Sequence, residues 1–144
     1  MTDIQAAIGL KQLERYPALL QRRQEIISQY DETLDQFGIL HLKHSGEDFQ
    51  GSGHLYLSRI PGADEAKRNS IITKLAEQGV ATNVHYKPLP MMTAYKALGF
   101  DIKDYPNAYM QYQNEITLPL HTRLTDEDIQ YIKENLIETF KRLV

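Results

Sequence analysis

Ile4, Ala7, Ile8, Leu10 and Leu13 recur at helical spacing, and Thr2 followed three positions later by Gln5 fits a capping box at the helix start. Pro17 interrupts that stripe. It lacks an N–H and clashes with the preceding turn, so it predicts a break or a kink. The pattern resumes at Leu19, Leu20, Ile26, Ile27, Tyr30 and Leu34 and stops at Gly38. The reading is two consecutive helices or one kinked helix. Residues 39–42 then read as a short strand, and SGEDFQGSG (45–53) as a loop. Residues 54–60 alternate, with Leu55 and Leu57 facing one way and Tyr56, Ser58 and Ile60 the other. Asp64 caps a predicted helix reaching about Gln78, with Ile71, Ile72 and Leu75 buried and Gly79 as its stop. Residues 80–86 predict a further strand, with Val80, Thr82, Val84 and Tyr86 on one face and Ala81, Asn83 and His85 on the other.

Pro88 and Pro90 force irregular backbone, followed by short helices over 93–98 and 106–113. Residues 116–120 read as a strand broken by Pro119, which suggests a sheet edge or a bulge. Thr125 opens a final helix with a buried stripe of Ile129, Ile132, Leu136, Phe140 and Leu143. The order predicts an α/β fold: a long N-terminal helical arm, then a small, mostly antiparallel sheet covered by helices. Gly38 marks the expected boundary between the arm (1–38) and a small α/β domain (39–144).

Composition narrows the function classes. The chain is 42% hydrophobic and 24% charged, ordinary for a soluble globular protein. It has no cysteine, which excludes disulfides, cysteine metal sites and a cysteine nucleophile. The same lack fits a reducing compartment, and the reading is a cytoplasmic protein. A net charge of -3 and a pI of about 5.9 argue against nucleic-acid binding. No apolar run approaches the roughly 20 residues of a membrane span, and the N-terminus is not a signal peptide. Opening directly in a helix, the sequence reads as cut from a longer protein.

The densest polar cluster is TNVHYKPLP (82–90), where an imidazole, a phenol and an ammonium meet a proline-stiffened loop. His85, Tyr86 and Lys87 suit an anionic or hydroxyl-rich ligand. The structural alternative is that His85 packs on the sheet, Tyr86 fills the core and Lys87 is solvated. His41 and His44 have HxxH spacing but no third ligand stands out, so they read as surface histidines and no metal site is assigned. His121 reads as structural and His54 as exposed. No nucleophile elbow, phosphate-binding loop or dinucleotide glycine set is present, and no lysine has the local sequence of a Schiff-base lysine.

Four segments together resemble one family. MTDIQAAIG (1–9), RRQEIISQY (22–30), VHYKPLPMMTAY (84–95, ending at Tyr95) and TLPLHTRLTDED (117–128) are similar, in order and spacing, to motifs of DegT/DnrJ/EryC1/StrS aminotransferases. The likeness spans essentially the whole chain. It implies the C-terminal segment of a fold-type-I enzyme that uses pyridoxal 5'-phosphate to move an amino group, usually from glutamate, onto a nucleotide-linked keto sugar. Polysaccharide or amino-sugar biosynthesis is the implied setting and a homodimer the implied assembly. The cofactor, its lysine and the other catalytic residues belong to the family's large domain, which would precede Met1. No catalytic or cofactor-binding residue is therefore carried over, and the isolated chain is expected to be inactive. His85 and Tyr86 match the family's HY pair, which the resemblance makes substrate-binding residues. Many members have a histidine soon after the following proline; here Pro90 and Met91 occupy that region. A non-catalytic regulatory or dimerisation module derived from the family is the alternative reading.

Overall fold

The computed structural model describes residues 1–142; the expectation for Leu143 lies outside them. Helix α1 (Asp3–Asp35) opens with the capping box: the Thr2 hydroxyl accepts from the Gln5 N–H, and the Gln5 side chain accepts from the Thr2 N–H at 2.9 Å. Pro17 lies inside α1 and does not divide it. One lost hydrogen bond is too small a perturbation to end a helix that continues for four turns on either side. Its N-terminal half stands in solvent, with residues 7–18 all exposed. Its C-terminal half is core: Ile26, Tyr30 and Leu34 are fully buried.

Strands β1 (Leu40–His41), β2 (Tyr56–Arg59) and β3 (Glu115–Leu118) form an antiparallel sheet in that order. Tyr56 pairs with Leu118 and Ser58 with Ile116, and these four side chains point into the core. Helices α1, α2 (Glu65–Glu77) and α5 (Asp126–Lys141) cover that face with Ile26, Tyr30, Ile71, Leu75, Ile129 and Leu136. The Tyr30 and Tyr56 rings meet edge-on with centroids 5.1 Å apart. The Tyr30 hydroxyl donates to the Pro119 carbonyl at 2.9 Å, which leaves no buried phenol without a partner there.

The two arginines of the RR segment act as staples. Arg22 donates to the Leu124 carbonyl at 2.8 Å and pairs with Asp126 at 2.8 Å, holding α1 to the start of α5. Arg23 donates to the Gly53 carbonyl at 2.6 Å. Gly53 has φ +61 and no room for a side chain, since a Cβ would come within 2.9 Å of Ile27.

Residues 80–86 do not form the expected strand. Asn83 alone bridges to Thr117 of β3. The next two backbone donors are taken by side chains: Val84 N–H by the Asn83 carbonyl oxygen at 2.8 Å, His85 N–H by Glu115 Oε2 at 2.9 Å. With its donors diverted, the segment leaves the sheet before Pro88. Short helices α3 (Thr93–Ala97) and α4 (Pro106–Tyr112) follow and return the chain to β3. β3 ends at Leu118, before Pro119.

Candidate functional site

The side chains of β2 and β3 that do not face the core form a second surface. Leu57 lies opposite Thr117 and Arg59 opposite Glu115. Over this face the 85–88 segment and α4 enclose a cavity of about 680 Å³. Leu40, Leu42, Leu57 and Pro88 give it apolar walls, and Arg59, His85, Tyr86, Gln111, Tyr112 and Glu115 bring polar groups. Pockets of this size with a few convergent polar groups suit small ligands.

His85 and Tyr86 both line the cavity. The His85 Nδ1 lies 2.9 Å from Thr117 Oγ1, and that hydroxyl donates its single proton to Glu115 Oε1 at 2.5 Å. The Thr117 oxygen can then only accept from the imidazole, so Nδ1 carries the proton and Nε2 of the neutral ring is an acceptor. Glu115 thus orients His85 twice, through the backbone N–H and through Thr117. Burial pushes the Glu115 carboxyl above its ordinary value, against hydrogen bonds from Thr117 and His85 that lower it.

Tyr86 does not fill the core: it is 71% exposed, with its ring edge-on to His85 at 4.7 Å. Lys87 is exposed. Tyr112 is fixed on the opposite wall, its hydroxyl donating to Glu65 Oε1 at 3.0 Å and its ring lying 4.7 Å from the buried Arg68 guanidinium.

His41 and His44, expected at the surface, are half-buried. The His41 ring nitrogens lie 3.1 Å from Asp31 and 3.1 Å from Asp35, and both histidines stack near the Tyr56 ring. The Tyr56 hydroxyl donates to Asp31 at 2.6 Å, so this cluster ties β1 and its following turn to α1. His121 is exposed, not built into the structure as expected, and His54 is exposed.

Sequence reasoning missed Arg59, Tyr112 and Glu115. Arg59 was within reach, because strand alternation puts it on the Leu57 face. Glu115 was not, because the expected strand began one residue later.

Comparison with known proteins places the chain. The DegT/DnrJ/EryC1/StrS aminotransferase family model matches residues 1–137. The chain belongs to this family. It is 32% identical to the spore coat polysaccharide biosynthesis protein SpsC of Bacillus subtilis, covering 100% of this chain and 37% of that protein. A UDP-4-amino-4,6-dideoxy-N-acetyl-beta-L-altrosamine transaminase of Helicobacter pylori is 30% identical over 98% of this chain and 37% of its own length. The putative sugar aminotransferase Spr1654 of Streptococcus pneumoniae, solved in its PMP-form, superposes with a TM-score of 0.93 at 51% identity, covering 100% of this chain and 36% of that one. A PLP-form of the same protein has also been solved. The chain therefore spans little more than a third of the length of these relatives. Pyridoxal phosphate is the cofactor at the level of the family, but this chain's residues do not fit it as a complete site. Schiff-base chemistry needs a desolvated or electrostatically activated lysine; among the described residues no lysine is buried and none lines the cavity.

Proposed function

We propose that this chain supplies the substrate-facing wall of a pyridoxal-phosphate-dependent aminotransferase acting on a nucleotide-linked keto sugar. The observation that carries the reading is the placement of His85 and Tyr86 together on the rim of a cavity on the face of the sheet opposite the core. Orientation by Glu115 and Thr117 presents the His85 Nε2 as an acceptor for a sugar hydroxyl, and the exposed Tyr86 offers a ring face and a phenol. Such positioning raises rate by holding the reacting carbon in place. The amino donor is an amino acid such as glutamate, and the product enters polysaccharide or amino-sugar biosynthesis. Residues 1–38 form the arm toward a large domain that holds the cofactor and its lysine, and 39–144 the small domain. The enzyme works in the cytoplasm as a homodimer, and the chain by itself is inactive. No helix among the described residues is long and apolar enough to cross a membrane.

A crystal structure of an enzyme carrying this chain after its large domain, with a nucleotide sugar bound, tests the reading. The expected result is ligand against His85 and Tyr86 over the Leu57–Arg59 face. Ligand lodged wholly outside this face would overturn it.

A further inference from the structure

The cavity holds one cation whose charge is not matched by a contact. Arg59 is half-buried on its floor. Its Nε donates to the Asn114 side-chain oxygen at 3.1 Å and its Nη2 to the Met110 carbonyl at 3.4 Å. Both acceptors are neutral, and among the described residues no carboxylate forms an ion pair with it. The cross-strand Glu115 is the obvious candidate, yet each of its oxygens is already engaged, one by the His85 N–H and one by the Thr117 hydroxyl. Behind the wall, the second cation of the region, Arg68, lies beside Glu65 at 3.8 Å and over Tyr112.

A half-buried guanidinium fixed by two neutral hydrogen bonds keeps its remaining N–H groups in one orientation. Nη1 makes no hydrogen bond among the described residues. A fork held in this way suits planar or tetrahedral oxyanions, which take charge-assisted hydrogen bonds from it. We propose that Arg59 is the anion receptor of the cavity, taking a carboxylate or phosphate group of the ligand through its unoccupied guanidinium edge. The inference rests on the reading of this face as the substrate face. It adds to that reading a charged anchor beside the hydroxyl-directed pair His85 and Tyr86.

The test uses the 144-residue chain. Pyrophosphate, glutamate and UDP-glucose are titrated separately while the Arg59 Nε–H and the His85 and Tyr86 ring signals are followed by NMR. At least one anion should shift the Arg59 signal saturably. Arg59→Gln should weaken that binding about tenfold or more, as expected for a lost hydrogen bond to a charged group, and Arg59→Lys should restore part of it. Unchanged melting temperatures and core methyl spectra exclude a folding defect; if Arg59→Gln fails that control, Arg59→Lys alone must weaken binding. A response to pyrophosphate and UDP-glucose identifies phosphate; a response to glutamate identifies the donor carboxylate. If no probe moves the Arg59 signal, or if the variants bind as the wild type does, the inference is wrong. UDP-glucose moving His85 and Tyr86 without involving Arg59 overturns the inference and leaves the substrate face standing. Anion binding at Arg59 with no UDP-glucose response at His85 and Tyr86 does the reverse.

Discussion

At the scale of single residues, Glu115 connects stability to the site. Its carboxyl is buried on the cavity floor and raised above its ordinary value of 4.5, chiefly by desolvation. A carboxyl raised in the folded state holds a proton there that the unfolded chain has already released. Stability from this group is therefore greatest below about 4.5 and is lost as pH rises through the raised value. Glutamine in its place can still accept the His85 N–H but carries no charge to desolvate. The melting temperature of Glu115→Gln should rise relative to wild type as pH increases from 4.5 toward neutrality. A pH-independent difference, or one of opposite slope, would refute this account of Glu115. The residue also shows why the site was only partly legible. The HY pair stood out as a polar cluster beside prolines, whereas Glu115 is one carboxylate at a strand end, and only the sheet register brings it under His85.

At the scale of elements, local chemistry and periodicity agree wherever both are strong. The start of α5 at Thr125, its buried stripe of Ile129, Ile132, Leu136 and Phe140, and the Asp64 cap of α2 all form as their sequences predict. The extended segment after Val80 departs because its fate rests on side-chain acceptors, Asn83 and Glu115, that no periodicity reports. Helix α1 departs differently. Ile4 and Leu13 are nine positions apart, two and a half turns, so they lie on opposite sides of the helix and not on one stripe. Both are exposed, at 75% and 67%. A helix with apolar groups on opposite sides is built to be surrounded. Without those neighbours the arm is held only by its own hydrogen bonds, and Pro17 removes one of them. At dilutions where the chain is monomeric, amide exchange should be fast over residues 3–16 and slow over 26–34. Pro17→Ala should stabilise the arm by about 3 kcal/mol and slow its exchange. Equal protection of both halves in the wild type would show that the arm is packed in solution.

At the scale of the molecule, the sheet divides two tasks. One face, with Tyr56, Ser58, Ile116 and Leu118, carries the core; the other, with Leu57, Arg59, Thr117 and Glu115, carries the cavity. The α/β class, the antiparallel sheet and the helix order were legible because they follow from alternation and caps. Which face would carry chemistry was not, because both faces of β2 contain apolar and polar residues. The exposed apolar arm predicts that the isolated chain self-associates, since large exposed apolar surfaces seek partners. Sedimentation should show dimers or larger species whose population falls when Ile4, Ile8 and Leu13 are replaced by serine. A strict monomer at high concentration would contradict this.

Separating the two half-reactions decides whether the cavity face binds the sugar substrate. In an enzyme carrying this chain after its large domain, single-turnover rates are measured for the amino-donor and nucleotide-sugar half-reactions of wild type, His85→Ala and Tyr86→Phe, beside melting temperatures. Sugar binding should weaken by about 0.5–1.5 kcal/mol for each hydrogen bond lost. The amino-donor half-reaction, in which no sugar takes part, should be nearly unchanged. If both half-reactions slow together and the protein melts earlier, His85 and Tyr86 serve the fold and not the substrate.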